Sequence, residues 1–177
     1  ATSESVALIA APQSEQDTKA LIETVQLQTH EDIVCILVAP GLELPGGERF
    51  VAADSLENAC TVVDHLDVNF IGVLDSADYY GPNYVRDLVL HHRWADVPAV
   101  GHADFFSDAD DADPSPRRCG ERAGYSLQED LDLSRSLVRT NRMHEWGVNL
   151  GTLDDLHCQG FGFSLGNAEY WHRGRLR

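Results

Sequence analysis

Positive charge is what this chain has least of. A single lysine, Lys19, stands among 13 basic residues, against 29 acidic ones, and the formal charge is −16. So acidic a surface repels nucleic-acid backbones and anionic bilayers, which argues against both as principal partners. Long apolar runs are missing too: nothing approaches the roughly 18 residues that a membrane-spanning helix needs. The 4 cysteines, Cys35, Cys60, Cys119 and Cys158, stand far apart with no Cys-x-x-Cys among them. Neither a zinc site nor a disulfide scaffold is written in that spacing, and they read as reduced thiols filling the core of a cytoplasmic protein. There is no Gly-rich phosphate loop of the Walker or Rossmann kind, and Ser126 and Ser164 lack the Gly-x-Ser-x-Gly elbow of a serine hydrolase. Ala1-Thr2-Ser3-Glu4 has no basic flank and no initiator Met. It does not read as a signal peptide, and the chain is expected to belong to something longer.

What is present is an alternation. With 177 residues the chain suits one domain able to bury its own core. Val6 to Ala11 reads as a buried strand stopped by Pro12. Ser14 stands where a helix N-cap belongs, ahead of the apolar stripe Leu21, Ile22 and Val25. Ile33 to Val38 is a second continuous apolar run, broken by Pro40-Gly41, and Phe50 to Ala53 a short third. Ser55 caps a helix whose Leu56, Ala59, Cys60, Val63 and Leu66 recur at helical spacing. Phe70 to Leu74 is the next strand, Pro82 opens a helix carrying Val85, Leu88 and Val89, and Ala99 to Gly101 begins another strand. Apolar strands alternating with helices predict an α/β domain whose central, mostly parallel sheet is covered on both faces. In such sheets ligands bind beyond the carboxyl ends of the strands, which here means the loops after Ala11, Val38 and Leu74.

The alternation breaks after Phe106. Residues 107–118, with four Asp and two Pro, read as a flexible acidic surface loop. A calcium loop would need a Gly at its turn and a closing Glu, and both are missing. A strand is expected at Ser136 to Arg139, a helical stretch near Met143 to Trp146, and an aromatic end at Tyr170-Trp171-His172-Arg173. His91 and His92 are adjacent on a helix and face different ways, so they do not form a metal site.

The segment richest in chemistry runs from Phe70 to Tyr84, where an apolar strand delivers Asp75 to its own end, followed by Asp78, Tyr79, Tyr80 and Pro82. Carboxylates so placed hold a hard cation, which in turn bridges to a phosphate. Equally, Asp75 caps a turn and Asp78 is simply solvated.

This context resembles the family 2 glycosyltransferases, whose domains have the nucleotide-sugar-binding GT-A fold. In them a strand ends in Asp-x-Asp or Asp-x-Asp-Asp, then an aromatic and a Pro. Val6 to Pro12 resembles the family's opening strand. Leu21 to Pro40, with Gln28-Thr29-His30 before the second strand, resembles its Gln-Thr stretch. Thr152-Leu153-Asp154-Asp155-Leu156 resembles the acidic motif, and Tyr170 to Arg173 the closing aromatic-basic segment. The resemblance spans nearly the whole chain, and the order of the pieces carries it. It implies a three-layer GT-A-like sandwich over residues 1–177. It also implies a UDP-sugar or GDP-sugar donor bound near Pro12, Ala39, Asp75 and Arg173, and a divalent cation (Mn or Mg) held by Asp75, Asp78 and His172. Asp155, with Asp154 second, would be the base that activates a hydroxyl of a glycan or polymer acceptor, with inversion at the anomeric carbon. Read without the resemblance, the two acids after Thr152 are a helix start, and residues 170–173 a polar tail.

Two positions depart from the family pattern. Ala39-Pro40-Gly41 follows the second strand where the family has nucleotide-binding acids, and Ala77 stands where it has the metal-binding Asp. These favour an alternative, a catalytically inactive glycosyltransferase-like binding or scaffold module of a larger protein. An unrelated doubly wound domain is the third reading.

Overall fold

A computed structural model describes residues 4–41, 48–103, 105–107, 117–119, 125–146, 159–165 and 170–172. In chain order the elements are β1 (Val6–Ala10), α1 (Glu15–Leu27), β2 (Ile33–Val38), β3 (Phe50–Ala53), α2 (Leu56–His65), β4 (Phe70–Leu74), β5 (Tyr79–Tyr80), α3 (Tyr84–His92), β6 (Ala99–Gly101), β7 (Phe105–Ser107), β8 (Arg117–Cys119), β9 (Ser126–Asp132), β10 (Ser136–Arg139), β11 (Gln159–Ser164) and β12 (Tyr170–His172). Two 3₁₀ turns, Leu133–Arg135 and Thr140–Trp146, flank β10.

The central sheet has eight strands in the order β3-β2-β1-β4-β10-β6-β11-β9. β3, β2, β1 and β4 run parallel, β10 is reversed between β4 and β6, β11 is parallel to β6, and β9 is reversed at the edge. The continuous apolar character of β1 follows from its place in the middle. Val6, Leu8 and Ala10 turn to one face, where α1 (Leu21, Val25) and α3 (Tyr84, Val85, Leu88, Val89) cover them. Ala7 and Ile9 turn to the other face, against α2 (Ala59, Cys60, Val63) and Leu131, Leu133 and Met143. Each large aliphatic side chain buried this way stabilises the fold by about 1.5–3 kcal/mol. Helices on both faces of a mixed, mostly parallel sheet make the three layers expected from the sequence.

Local signals explain the helix starts. The Ser14 hydroxyl accepts from the Asp17 N–H, and the Ser55 hydroxyl from the Asn58 N–H. α3 starts differently. Asn83 makes no side-chain cap bond, and the helix begins two residues past Pro82. Its first turn is held from a distance by Gln28, whose Oε1 accepts from the Val85 N–H (3.1 Å) and whose Nε2 donates to the Gly81 carbonyl (2.9 Å). Thr29 adds a backbone bond to the Pro82 carbonyl.

A second sheet, β5-β12-β7-β8, corrects the boundaries of the acidic loop. Ser107, Arg117 and Arg118, expected inside it, lie in paired strands, with Ser107 opposite Arg117 and Phe106 opposite Arg118. Residues 108–116 lie outside the described residues. The stretch expected to be helical near Met143 is the 3₁₀ turn. Cys35 and Cys60 are free and buried, and burial pushes the Cys35 thiol up to about 12, consistent with inert core thiols. No helix among the described residues is long and apolar enough to cross a membrane.

His92 is the buried ionisable group with the plainest consequence. It stacks on Phe70 (ring centroids 4.6 Å apart), and its Nε2 lies 2.9 Å from the Leu137 carbonyl, while Nδ1 has no hydrogen-bond partner. Desolvation lowers its pKa to about 4. Arg139 and Arg142 push the same way, against the bond to Leu137. The unfolded chain takes up this proton near the ordinary value of about 6.5, whereas the folded chain resists until about 4. Acid between those values therefore favours unfolding. Stability should fall by up to ~3 kcal/mol across that window on this account. Urea midpoints at pH 7 and pH 4.5 measure the loss, which should be smaller in a His92→Gln chain that keeps a donor for Leu137. Equal losses in the two chains would refute the assignment.

Candidate active site

The register brings three strand ends level. Ala10 pairs with Leu37 on one side and with Leu74 on the other, so the turns leaving β1, β2 and β4 emerge side by side. Pro12 lies half-buried on the first of these turns. Ala39 lies buried on the second, its N–H donating to the Ala53 carbonyl of β3 (3.1 Å). Asp75 opens the third and is half-buried. This edge is where an open α/β sheet accommodates a ligand.

Asp75 belongs to a tight turn. Its Oδ1 accepts from the Ala77 N–H (2.9 Å), and its carbonyl accepts from the Asp78 N–H (3.1 Å). Ala77 is exposed and Asp78 half-buried. The turn is anchored from below by Tyr80, whose buried hydroxyl accepts from the Asp75 N–H (2.8 Å) and donates to the Ser134 carbonyl (3.1 Å). One phenol thus ties the end of β4 to the 3₁₀ turn that leads into β10. Tyr80 meets Tyr84 edge-on (4.9 Å), and Tyr84 stacks with buried His102 (5.6 Å). Those three rings pack in series, with Tyr80 the one bonded to the Asp75 turn. Burial, above all, raises the Tyr84 pKa, and the phenol stays protonated.

Asp75 is therefore a turn residue, with one carboxylate oxygen engaged by the turn itself. Among the described residues no group of three or more His, Cys, Asp or Glu is poised around a metal ion. Two carboxylates still suit the mode in which Mg²⁺ or Mn²⁺ takes one or two protein oxygens and fills its sphere from substrate phosphates and water.

The remaining positions divide by where they fall. β12 pairs antiparallel with β5, Tyr170 opposite Tyr80 and Trp171 opposite Tyr79, so the closing aromatic segment runs beside the stretch that follows Asp78. His172 is the next residue of that strand and pairs with Ser107 of β7. Arg173, Asp154 and Asp155 lie outside the described residues.

Ser134, Arg135 and His102 were not singled out in the sequence as parts of this edge, and Tyr80, Tyr84 and Gln28 were named there only within longer stretches, without these roles. Asp132-x-Ser134 was the readable signal, since Asp132 Oδ1 accepts from the Ser134 N–H two residues on, a common local turn.

Seventy-two chains of solved structures match this one. Among them is TarS 1–349 of S. aureus, a glycosyltransferase solved in complex with UDP-GlcNAc, with a TM-score of 0.54. The match covers 98% of this chain at 9% identity. The fold is GT-A-like. At that identity the likeness establishes the fold alone, and the chain spans 59% of the TarS structure. No protein-family model matches, and no curated protein sequence does. In a GT-A-like domain, the level ends of β1, β2 and β4 form the edge that Asp75 occupies.

Proposed function

We propose that this chain is a family 2-type glycosyltransferase domain. It takes a UDP-sugar or GDP-sugar with Mn²⁺ or Mg²⁺, acts in the cytoplasm, and passes the sugar with inversion to a glycan or polymer acceptor. The observation that carries the proposal is Asp75 standing at the carboxyl end of β4, flush with the ends of β1 and β2, in a fold shared with a protein solved with UDP-GlcNAc.

Asp75 and Asp78 would hold the cation, which when bound stabilises the charge gathering on the departing diphosphate. Tyr80 keeps the Asp75 turn in register, so that its carboxylate need not be ordered at the moment of binding. Pro12 and Ala39 line the nucleotide side of the edge, and Arg173 and His172 serve the diphosphate from the closing segment. Asp155, or Asp154 beside it, takes the acceptor's hydroxyl proton as the acceptor oxygen attacks the anomeric carbon and the bond to the diphosphate breaks. Other domains of a longer chain would supply the polymer.

One observation favours the second reading, a nucleotide-sugar-binding or scaffold module without turnover. Ala77 is exposed at the turn and gives only a backbone N–H, so this position adds no carboxylate. Calorimetric titration of UDP, GDP and UDP-GlcNAc, with and without Mn²⁺, tests the common ground of both readings. Metal-dependent binding at micromolar strength is expected. A folded chain that binds none of them would refute both.

A further inference from the structure

Asp75 reaches beyond its own turn through one bond. Its carboxylate and its carbonyl serve the N–H groups of Ala77 and Asp78, two and three residues on. Among the described residues, the hydrogen bond that ties it to the rest of the molecule runs from its N–H to the Tyr80 hydroxyl (2.8 Å). A phenol has a single proton, so the hydroxyl that accepts from Asp75 directs that proton to the Ser134 carbonyl, 3.1 Å away.

Both supports of this phenol are themselves braced. Tyr80 is buried, its ring meets Tyr84 edge-on, and its backbone pairs with Tyr170 of β12. The carbonyl of the next residue, Gly81, accepts from buried Gln28, whose Oε1 in turn receives the Val85 N–H. On the other side, the Asp132 carboxylate accepts from both the N–H and the hydroxyl of Ser134 (2.9 and 2.7 Å). The Ser136 hydroxyl closes that turn by donating to the Asp132 carbonyl (2.6 Å). Because β10 is reversed, with Leu137 opposite Gly72 of β4, the Ser134 turn lies at the sheet edge where β4 ends. The Asp75 turn thus hangs on one oxygen fixed between two firm parts of the fold, 54 residues apart in sequence.

A hard cation held by few protein oxygens responds directly to the displacement of one carboxylate. Groups that orient a metal ligand without touching the metal typically account for about 10–100-fold in affinity. We propose that Tyr80 is a positioning residue of the donor site. Its hydroxyl, braced on the Ser134 carbonyl, fixes the Asp75 carboxylate where the cation binds and so sets the affinity for the metal-bound diphosphate of the nucleotide sugar. This rests on reading the chain as a nucleotide-sugar binder, and it makes donor affinity depend on a turn that need not touch the donor.

Tyr80→Phe keeps the ring against Tyr84 and deletes the oxygen. Titrated with UDP in Mn²⁺, it should bind about 10–100-fold more weakly than the wild type. The loss should run through Asp75: in an Asp75→Asn background, Tyr80→Phe should cause no further loss, a non-additivity that independent sites do not show. Ser55→Ala removes a distant helix cap and lowers the melting temperature, yet should bind UDP like the wild type. That control tells lost positioning from lost stability. Asp132→Ala loosens the phenol from its Ser134 side and should weaken UDP in the same direction. It carries the test if Tyr80→Phe does not fold, and unchanged affinity there would then overturn the assignment. Equal UDP affinity in wild type and Tyr80→Phe would overturn it as well, leaving the nucleotide-sugar reading standing. So would a full repeat of the loss on Asp75→Asn, the result expected of direct contact between Tyr80 and the nucleotide. A wild type that binds no UDP overturns that reading and the assignment with it.

Discussion

Asp75→Asn should abolish cation-dependent binding of the nucleotide sugar while leaving the chain folded and close to wild-type stability. The two halves of that expectation come from the two oxygens. The amide carbonyl of Asn can still accept from the Ala77 N–H, as Asp75 Oδ1 does at 2.9 Å, and the Tyr80 hydroxyl still receives the backbone N–H of residue 75. The turn survives. What disappears is a negative charge, and a hard divalent cation whose dehydration is offset by few protein oxygens is sensitive to each one. At least ~100-fold weaker binding in Mn²⁺ is expected, a loss of several kcal/mol at the site. Calorimetry with UDP-GlcNAc reads it, and circular dichroism with a melting curve checks the fold. Unchanged donor affinity would remove Asp75 from the site. Asp75→Ala is the less informative variant, since it removes the turn's acceptor along with the charge.

Asp155→Asn should lower turnover by about two to four powers of ten with donor affinity unchanged. The reasoning is chemical. An acceptor hydroxyl is a poor nucleophile until a base takes its proton, and an amide cannot take it. A donor held at the strand ends by Asp75, as proposed, would have no need of that base in order to bind. Release of UDP from UDP-GlcNAc in the presence of a glycan acceptor follows turnover, and calorimetry follows the donor. Asp154→Asn run beside it separates the neighbours: the larger loss marks the base. A fully active Asp155→Asn would rule that residue out. Wild-type binding without any turnover would instead favour the scaffold reading, to which the exposed Ala77 already points.

Some of this molecule could be read directly. β1, β2 and β4 are short continuous apolar runs because both of their faces are covered, and nothing outside each run is needed to recognise it. Ser14 and Ser55 announce the starts of α1 and α2 because a cap bond spans only three residues. Asp75, the first polar residue after β4, was visible as a candidate for the same reason: strand end and carboxylate are neighbours in sequence.

What lay hidden shares the opposite property. β9 holds the sheet edge with the sequence Ser-Leu-Gln-Glu-Asp-Leu-Asp, too polar to signal a strand, and is paired through β11 some thirty residues away. β5 and β12, two and three residues long, are strands only because they meet each other and β7. The α3 start depends on Gln28, 53 residues before Gly81, and the Asp75 turn depends on a Tyr80 hydroxyl whose other partner, Ser134, is 54 residues on. The reversal of β10 decides that Ser134 stands at the strand-end edge, and no local pattern encodes a strand's direction. The sequence by itself determined the α/β class, the two-faced core and the place of Asp75, since burial and capping are local in their causes. Tertiary structure alone decided which distant side chains close around that carboxylate, because hydrogen bonds across tens of residues exist only once the sheet has been assembled.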